Sequence, residues 1–217
     1  MKIAVVSEFT ADEAALKILV DAVLGIKTDL LTGRRWRPRG WSHVFSLLTT
    51  IVRDLHYSTD ADGCVIVIDS DESPVHRRSH EASAVQDAAC RLCQLRAVVQ
   101  LELQRLSRVP NRNPLRFALG LAIPQIEAWY QCGLDPHVTE AEWARKLQGQ
   151  RLTYSQESLK RSAYGTARIS NFDRIEVAKQ AATRLATNLE ILEERFPEGF
   201  GSLCRDLRCW LDKDEQI

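Results

Sequence analysis

Residues 64–69, CVIVID, decide the fold. Five apolar, largely β-branched residues follow one another without a polar break, a run too short for a helix and suited to a strand buried on both faces. Asp69 closes the run, and the turn-rich STDADG (58–63) introduces it. Reading toward the N-terminus, Val44, Leu47, Leu48, Ile51 and Leu55 recur at helical spacing, predicting a helix over Ser42–His56. The loop TGRRWRPRGW precedes that helix, and a short second strand is expected over 28–32. Before it, Leu16, Leu19, Val20 and Val23 mark a helix that starts near Ala11 and stops at Gly25. KIAVVS (2–7) is another continuous β-branched run and a second buried strand.

Reading toward the C-terminus, the pattern predicts one long helix over His80–Leu106 and a strand in LRFALGLAI, 115–123. Strands alternating with helices in this way imply an α/β fold with a mostly parallel sheet and helices on both faces. From Pro124 onward the pattern is helical. Ile175, Ala178, Ala182, Leu185, Leu189 and Leu192 make one face of a long helix that Ser170 caps with Asp173 three residues on. Leu203, Leu207, Trp210 and Leu211 mark a last helix. The expected division is a catalytic domain over 1–130 and a helical extension over 131–217 packed on it.

The 217 residues carry 29 Lys+Arg against 29 Asp+Glu, with 45% hydrophobic and 27% charged residues, the profile of a compact globular protein. Zero net charge excludes a surface basic all over, while leaving room for a local basic patch. The longest apolar run, Ala15–Ile26, is interrupted by Lys17 and Asp21, so no membrane partner is expected, and the start of the chain has no secretory pattern. A cytoplasmic location is the expectation. Of the six cysteines, Cys90 and Cys93 form a C-x-x-C. A zinc site with His76, His80, Cys132, Cys204 or Cys209 is conceivable, but the pair falls inside the predicted long helix with no second C-x-x-C. Buried free thiols are the preferred reading. His76, His80 and His137 have no partner at a convincing spacing, and no nucleophile elbow supports a Ser-His-Asp triad.

In open parallel sheets, functional groups sit just past the carboxyl ends of strands. Acids stand at three such points here: Glu8 after the first strand, Asp69 and Asp71 in IDSDES after the central one, and Glu127 in PQIEAWY after the later one. Asp12, one helical turn beyond Glu8, faces the same crevice. Grouped carboxylates repel unless a cation neutralises them, and magnesium, a hard ion that takes oxygen ligands, is the natural candidate, with manganese as a substitute. Each acid also has a plain structural reading as a turn, cap or first-turn residue. Their coincidence at one sheet edge favours function.

Glu8 after the first strand, the E-x-x-x-D of Glu8 and Asp12 opening a helix, and Val65–Glu72 reading as an apolar strand into D-x-D-E together resemble the Toprim domain. Topoisomerases, primases, small bacterial ribonucleases and the overcoming-lysogenization-defect nucleases share that domain. The likeness covers about residues 1–130 and is greatest to small stand-alone bacterial Toprim-like proteins, in which an E-A-W recurs as Glu127-Ala128-Trp129 does here. It implies a magnesium-dependent nuclease cleaving DNA or RNA, with Glu8 as metal ligand or general acid/base and Asp69 and Asp71 as the D-x-D on the metal. Asp12 and Glu127 would serve a second ion. It also implies a setting in bacterial defence against phage or plasmids beside an ATPase partner, and is compatible with an oligomer. The chain departs from the family in carrying Phe9 where a glycine commonly follows the Glu.

Arg34, Arg35, Arg37 and Arg39 interleave with Trp36 and Trp41 in the 33–41 loop, a composition suited to phosphates and stacked bases; equally, its tryptophans could anchor a solvated loop. Arg77 and Arg78 follow the D-x-D, and Lys160, beside Arg161, is a further candidate for phosphate charge. Two alternatives stand beside the nuclease. One is a haloacid-dehalogenase-like phosphatase, which also uses D-x-D and magnesium, although on its first strand. The other is a non-catalytic module that binds nucleic acid or a partner protein.

Overall fold

The computed structural model describes residues 1–33, 36, 38–82, 87–165 and 169–211. Four strands, β1 (Lys2–Val6), β2 (Asp29–Leu30), β3 (Gly63–Asp69) and β4 (Arg116–Ala122), form one sheet in the order β2-β1-β3-β4, with every pairing parallel. β1 and β3 lie at its centre, which is why both read as unbroken apolar runs: Ile3–Val6 and Gly63–Ile68 are buried. The class is α/β, as the alternation of elements predicts.

The strand order determines where a crevice opens. From β1 the chain passes through α1 (Thr10–Leu24) to β2 on one side. It returns through α2 (Trp41–Ser58) to β3 on the other side, and then moves outward through α3 (Arg78–Ala82) and α4 (Arg91–Arg105) to β4. Connections leaving β1 and β3 therefore diverge, and the gap between their carboxyl ends is the topological switch point. α2 packs with α4, whereas α1 packs with α8 (Asn171–Ala186) and α10 (Phe200–Leu211). The connecting helices α5 (Ile126–Gln131), α6 (Glu140–Leu147), α7 (Gln156–Tyr164) and α9 (Leu189–Arg195) complete the chain.

α1 ends where the sequence says it must: Gly25 adopts a left-handed φ of 68°. Ser170 caps α8 by accepting from the Asp173 amide. Two expectations of single long helices are corrected. The apolar face from Ile175 to Leu192 is divided between α8 and α9, because Asn188 caps a new start by accepting from the Ile191 amide. The stretch from His80 to Leu106 is likewise two helices, α3 ending at Ala82 and α4 beginning at Arg91. Before α4, Asp87 accepts from the Ala89 amide at 2.9 Å through its side chain and from the Cys90 amide at 3.1 Å through its carbonyl, forming a local turn.

α10 lies against β3 and β4 through two glycines that leave the sheet flat. A Cβ on Gly63 would stand 2.7 Å from the Trp210 ring, and one on Gly120 would stand 3.2 Å from Leu203 Cβ. Asp206 of the same helix accepts from the Leu119 amide at 2.9 Å. Among the described residues no helix is long and apolar enough to cross a membrane.

Candidate functional site

β1 stops opposite the middle of β3, with Val6 level with Ile66, so Glu8 reaches the height at which β3 ends. Its Oε1 accepts from the Asp69 amide at 3.0 Å, and the carboxylate also meets the amide of Trp41 at the start of α2. Asp69 Oδ1 accepts from the Ile126 amide, the first of α5, at 2.9 Å. These bonds span β1, β3, α2 and α5, fixing Glu8 and Asp69 on either side of the switch point. Among the described residues Asp69 Oδ2 has no such bond and remains for a ligand.

Asp12 and Glu127 lie beneath them, each about 5% exposed. Asp12 Oδ1 accepts from the Tyr130 hydroxyl at 3.0 Å. Glu127 faces Tyr164, but its Oε2 is buried without a hydrogen-bond partner among the described residues. A carboxylate oxygen in that condition, beside other carboxylates, is a position where a cation or a donor group is wanted.

The acids respond to one another. Burial, then the charges of Glu8, Glu127, Asp12 and Asp71, push Asp69 well above the usual carboxylate range. Burial and then Glu127 push Asp12 up to about 7. Burial also raises Glu8, against the lowering effect of the Asp69 amide. The sequence-predicted carboxylates thus share one field although they come from three separate places along the chain. They do not share one point: Asp12 is turned to Tyr130, and Asp71 is turned to cationic and amide donors.

Asp71 is a left-handed residue, φ 46°, and the turn it makes is held by bonds from the Ser70 amide to Ala122 O and from its own amide to Pro124 O. Its Oδ2 receives Arg91 Nη1 at 2.8 Å and its Oδ1 receives Gln156 Nε2 at 3.0 Å. Arg91 Nη1 also donates to the Asp69 carbonyl at 2.6 Å, and the guanidinium lies 5.3 Å from the Trp41 ring centroid. Asp71 therefore already has a cation, whereas Glu8 and Asp69 have no ion-pair partner among the described residues. One or two protein carboxylates with water and substrate phosphate are the normal magnesium set, so the donor chemistry fits. Deeper in, Arg174 opposes the charge of Asp12 and lies over the Phe9 and Tyr164 rings at 5.6 and 5.1 Å.

The basic candidates divide. Arg34, Arg35 and Arg37 lie outside the described residues. Trp36 donates its Nε1 to Asp54 at 3.0 Å and packs on the core, anchoring the loop. Arg39 is exposed beside Trp41, which stacks on Phe45 with centroids 4.9 Å apart. Arg77 is exposed, and Arg78 is exposed and reaches Glu198 at 4.0 Å. Lys160 is an exposed residue of α7, and no described contact joins it to the carboxylates.

Arg91, Gln156, Tyr130, Tyr164 and Arg174 are site residues that the sequence reading missed: Tyr130 ends the quoted PQIEAWY and Arg91 lies inside the C-x-x-C, while the other three come from distant helices. His76 and His80 are a second correction. They have partners after all, because the break before α4 brings them against Cys90 and Cys93. Among the described residues these four donor atoms all lie within 4.8 Å of one another. No family model, curated protein or solved structure matches the chain, and the chemistry of the site rests on its own geometry.

Proposed function

We propose that the chain is a magnesium-dependent nuclease of Toprim-like design, cytoplasmic, acting on DNA or RNA phosphodiesters. The observation that carries this reading is the meeting of Glu8 and Asp69 at the switch point of the sheet, above the buried Asp12 and Glu127. Magnesium, held by Asp69 and Glu8, would supply charge for a phosphate oxygen and lower the pKa of a water. The protein's own groups do the rest. The Ile126 and Asp69 amides orient the two carboxylates so that each presents an oxygen to the crevice. Arg91, fixed between Asp71 and the Asp69 carbonyl, sets positive charge at the mouth, where a scissile phosphate would enter. Glu8, raised by burial, is suited to hold or release a proton at the reacting water.

The neighbouring surface supports a nucleic-acid substrate over a small phosphate ester. Half-buried Trp41 lies beside Glu8 and under Arg91, with Arg39 exposed next to it, so an indole and two guanidinium groups stand together where a nucleic-acid backbone would pass. Defence against phage beside an ATPase partner remains the biological setting the resemblance suggests. The test is cleavage of single- and double-stranded DNA and RNA across a magnesium and manganese titration. Asp69→Asn and Glu8→Gln should each lose roughly 10²–10³-fold or more in rate while the circular-dichroism spectrum stays native. Full activity in either variant refutes the assignment, and binding without product in the wild type indicates a non-catalytic module.

A further inference from the structure

We propose that His76, His80, Cys90 and Cys93 form a structural zinc site that fixes the start of α4 and, through it, Arg91. His76 and Cys90 are fully buried and Cys93 is 3% exposed, so three of the four donors face no bulk water. Cys90 Sγ and Cys93 Sγ each lie 3.5 Å from His76 Nδ1, and Cys93 Sγ lies 3.6 Å from His80 Nδ1. A tetrahedron with Zn–S of about 2.3 Å and Zn–N of about 2.0–2.1 Å has S···N edges of about 3.6 Å. The three distances are thus the edges that ion would set.

One imidazole nitrogen has one in-plane lone pair or one proton, yet two sulfurs stand equally close to His76 Nδ1; Cys93 also reaches His80 and meets Cys90, so the four groups converge on one point instead of separating into pairs. A single ion at the centre serves all four. Two sulfurs and two imidazole nitrogens are a zinc set and a poor one for magnesium, so this site is chemically separate from the carboxylate crevice. Binding releases the two thiol protons, and the two thiolates neutralise the ion, which suits a buried position.

The outer contacts agree. With Nδ1 of His80 toward the metal, its Nε2 faces Asp87 Oδ2 at 3.9 Å, the carboxylate commonly found behind a ligating histidine. Asp87 in turn accepts from the Cys90 amide, so the turn that starts α4 is tied to the site from both sides. Arg91 stands between the two cysteines in sequence and is the residue that grips Asp69 and Asp71. The zinc would therefore act as a positioning device for the crevice, remote from the reacting atoms.

The full chain, purified without chelators and under reducing conditions, should contain about one zinc per molecule by elemental mass spectrometry. Exchange with cobalt should give the visible bands of a tetrahedral ion and a near-ultraviolet thiolate charge-transfer band. The double variant Cys90→Ser/Cys93→Ser should lose both. Should that variant fail to fold, an organomercurial titrated into the wild-type chain should release zinc to a colour indicator as thiols react. A folded, reduced chain that holds no zinc and takes up no cobalt overturns the proposal. So does a Cys90–Cys93 disulfide in the freshly isolated metal-free chain, or zinc that survives the double substitution or full thiol modification. None of these readouts depends on nucleic-acid cleavage, so this inference can fail while the nuclease reading stands, and the reverse.

Discussion

The molecule gathers potential metal ligands in two places, and the two are built on opposite terms. At the switch point of the sheet the candidate ligands are oxygens, and Glu8 and Asp69 are oriented by backbone amides from other elements. Around the start of α4 they are sulfur and imidazole, three of the four sealed from water and three of the sulfur–nitrogen distances at tetrahedral spacing. An open oxygen site can exchange its ion and admit substrate; a closed sulfur–nitrogen site has no position left for either. On the readings proposed above, ligand type and burial separate a working centre from a staple within one molecule. Arg91 touches both regions: it stands between Cys90 and Cys93 in sequence and bonds the Asp69 carbonyl and the Asp71 carboxylate.

That junction is the point at which the comparison is easiest to break. Arg91→Ala should leave zinc content unchanged and lower cleavage by roughly 10²-fold at saturating magnesium. Elemental analysis beside a cleavage assay reads both. An unchanged rate would show the two regions to be independent. A smaller effect is expected at the outer carboxylate: Asp87→Asn should weaken zinc by about 10–100-fold in a competition titration, with the fold kept. Retention of wild-type affinity there would remove Asp87 from the site.

The smallest effect concerns the crevice without its ion. Asp12 has a folded pKa of about 7 against an ordinary 3.8. Between those values the folded chain holds a proton that the unfolded chain has released, so this contribution to stability is complete below about pH 4 and is lost as the pH rises toward 7. Buried Glu140, also pushed up to about 7, acts in the same window. Zinc binding, which releases protons, stabilises in the opposite direction, so the Asp12 contribution is read as a difference. In zinc-replete, magnesium-free buffer the melting temperature of Asp12→Asn should gain a few degrees on that of the wild type on going from pH 5 to 7.5, and magnesium should narrow that gain. A slope identical in the variant would mean that Asp12 ionises no differently when folded.

How legible these regions were follows from their construction. Glu8 and Asp69 close unbroken apolar runs, and the rule that ligands gather past strand ends locates them without any contact being known. Gln156 and Arg174 reach the same crevice by tertiary packing, and nothing near them in sequence announces it, whereas Tyr130 stands one helical turn after Glu127 and could have been found from it. The histidine–cysteine group was hidden by a continuity error. On one helix from His80 to Leu106, His80 and Cys90 would be about 15 Å apart along the axis, too far to share an ion. The intervening SAVQDAAC contains neither glycine nor proline, so no strong breaker marks the interruption. Asp87, whose side chain bonds the amide two residues on, was the available sign.

The flat contact between α10 and the two glycines of β3 and β4 has a consequence for how the protein is made. The strands leave the ribosome long before Phe200–Leu211 does, on the order of several seconds at bacterial or eukaryotic elongation rates. During that interval the sheet face that Trp210 and Leu203 will cover is bare. Nascent chains stalled before residue 200 should therefore be sticky and dependent on chaperones, and the arrival of α10 is what ends the exposure.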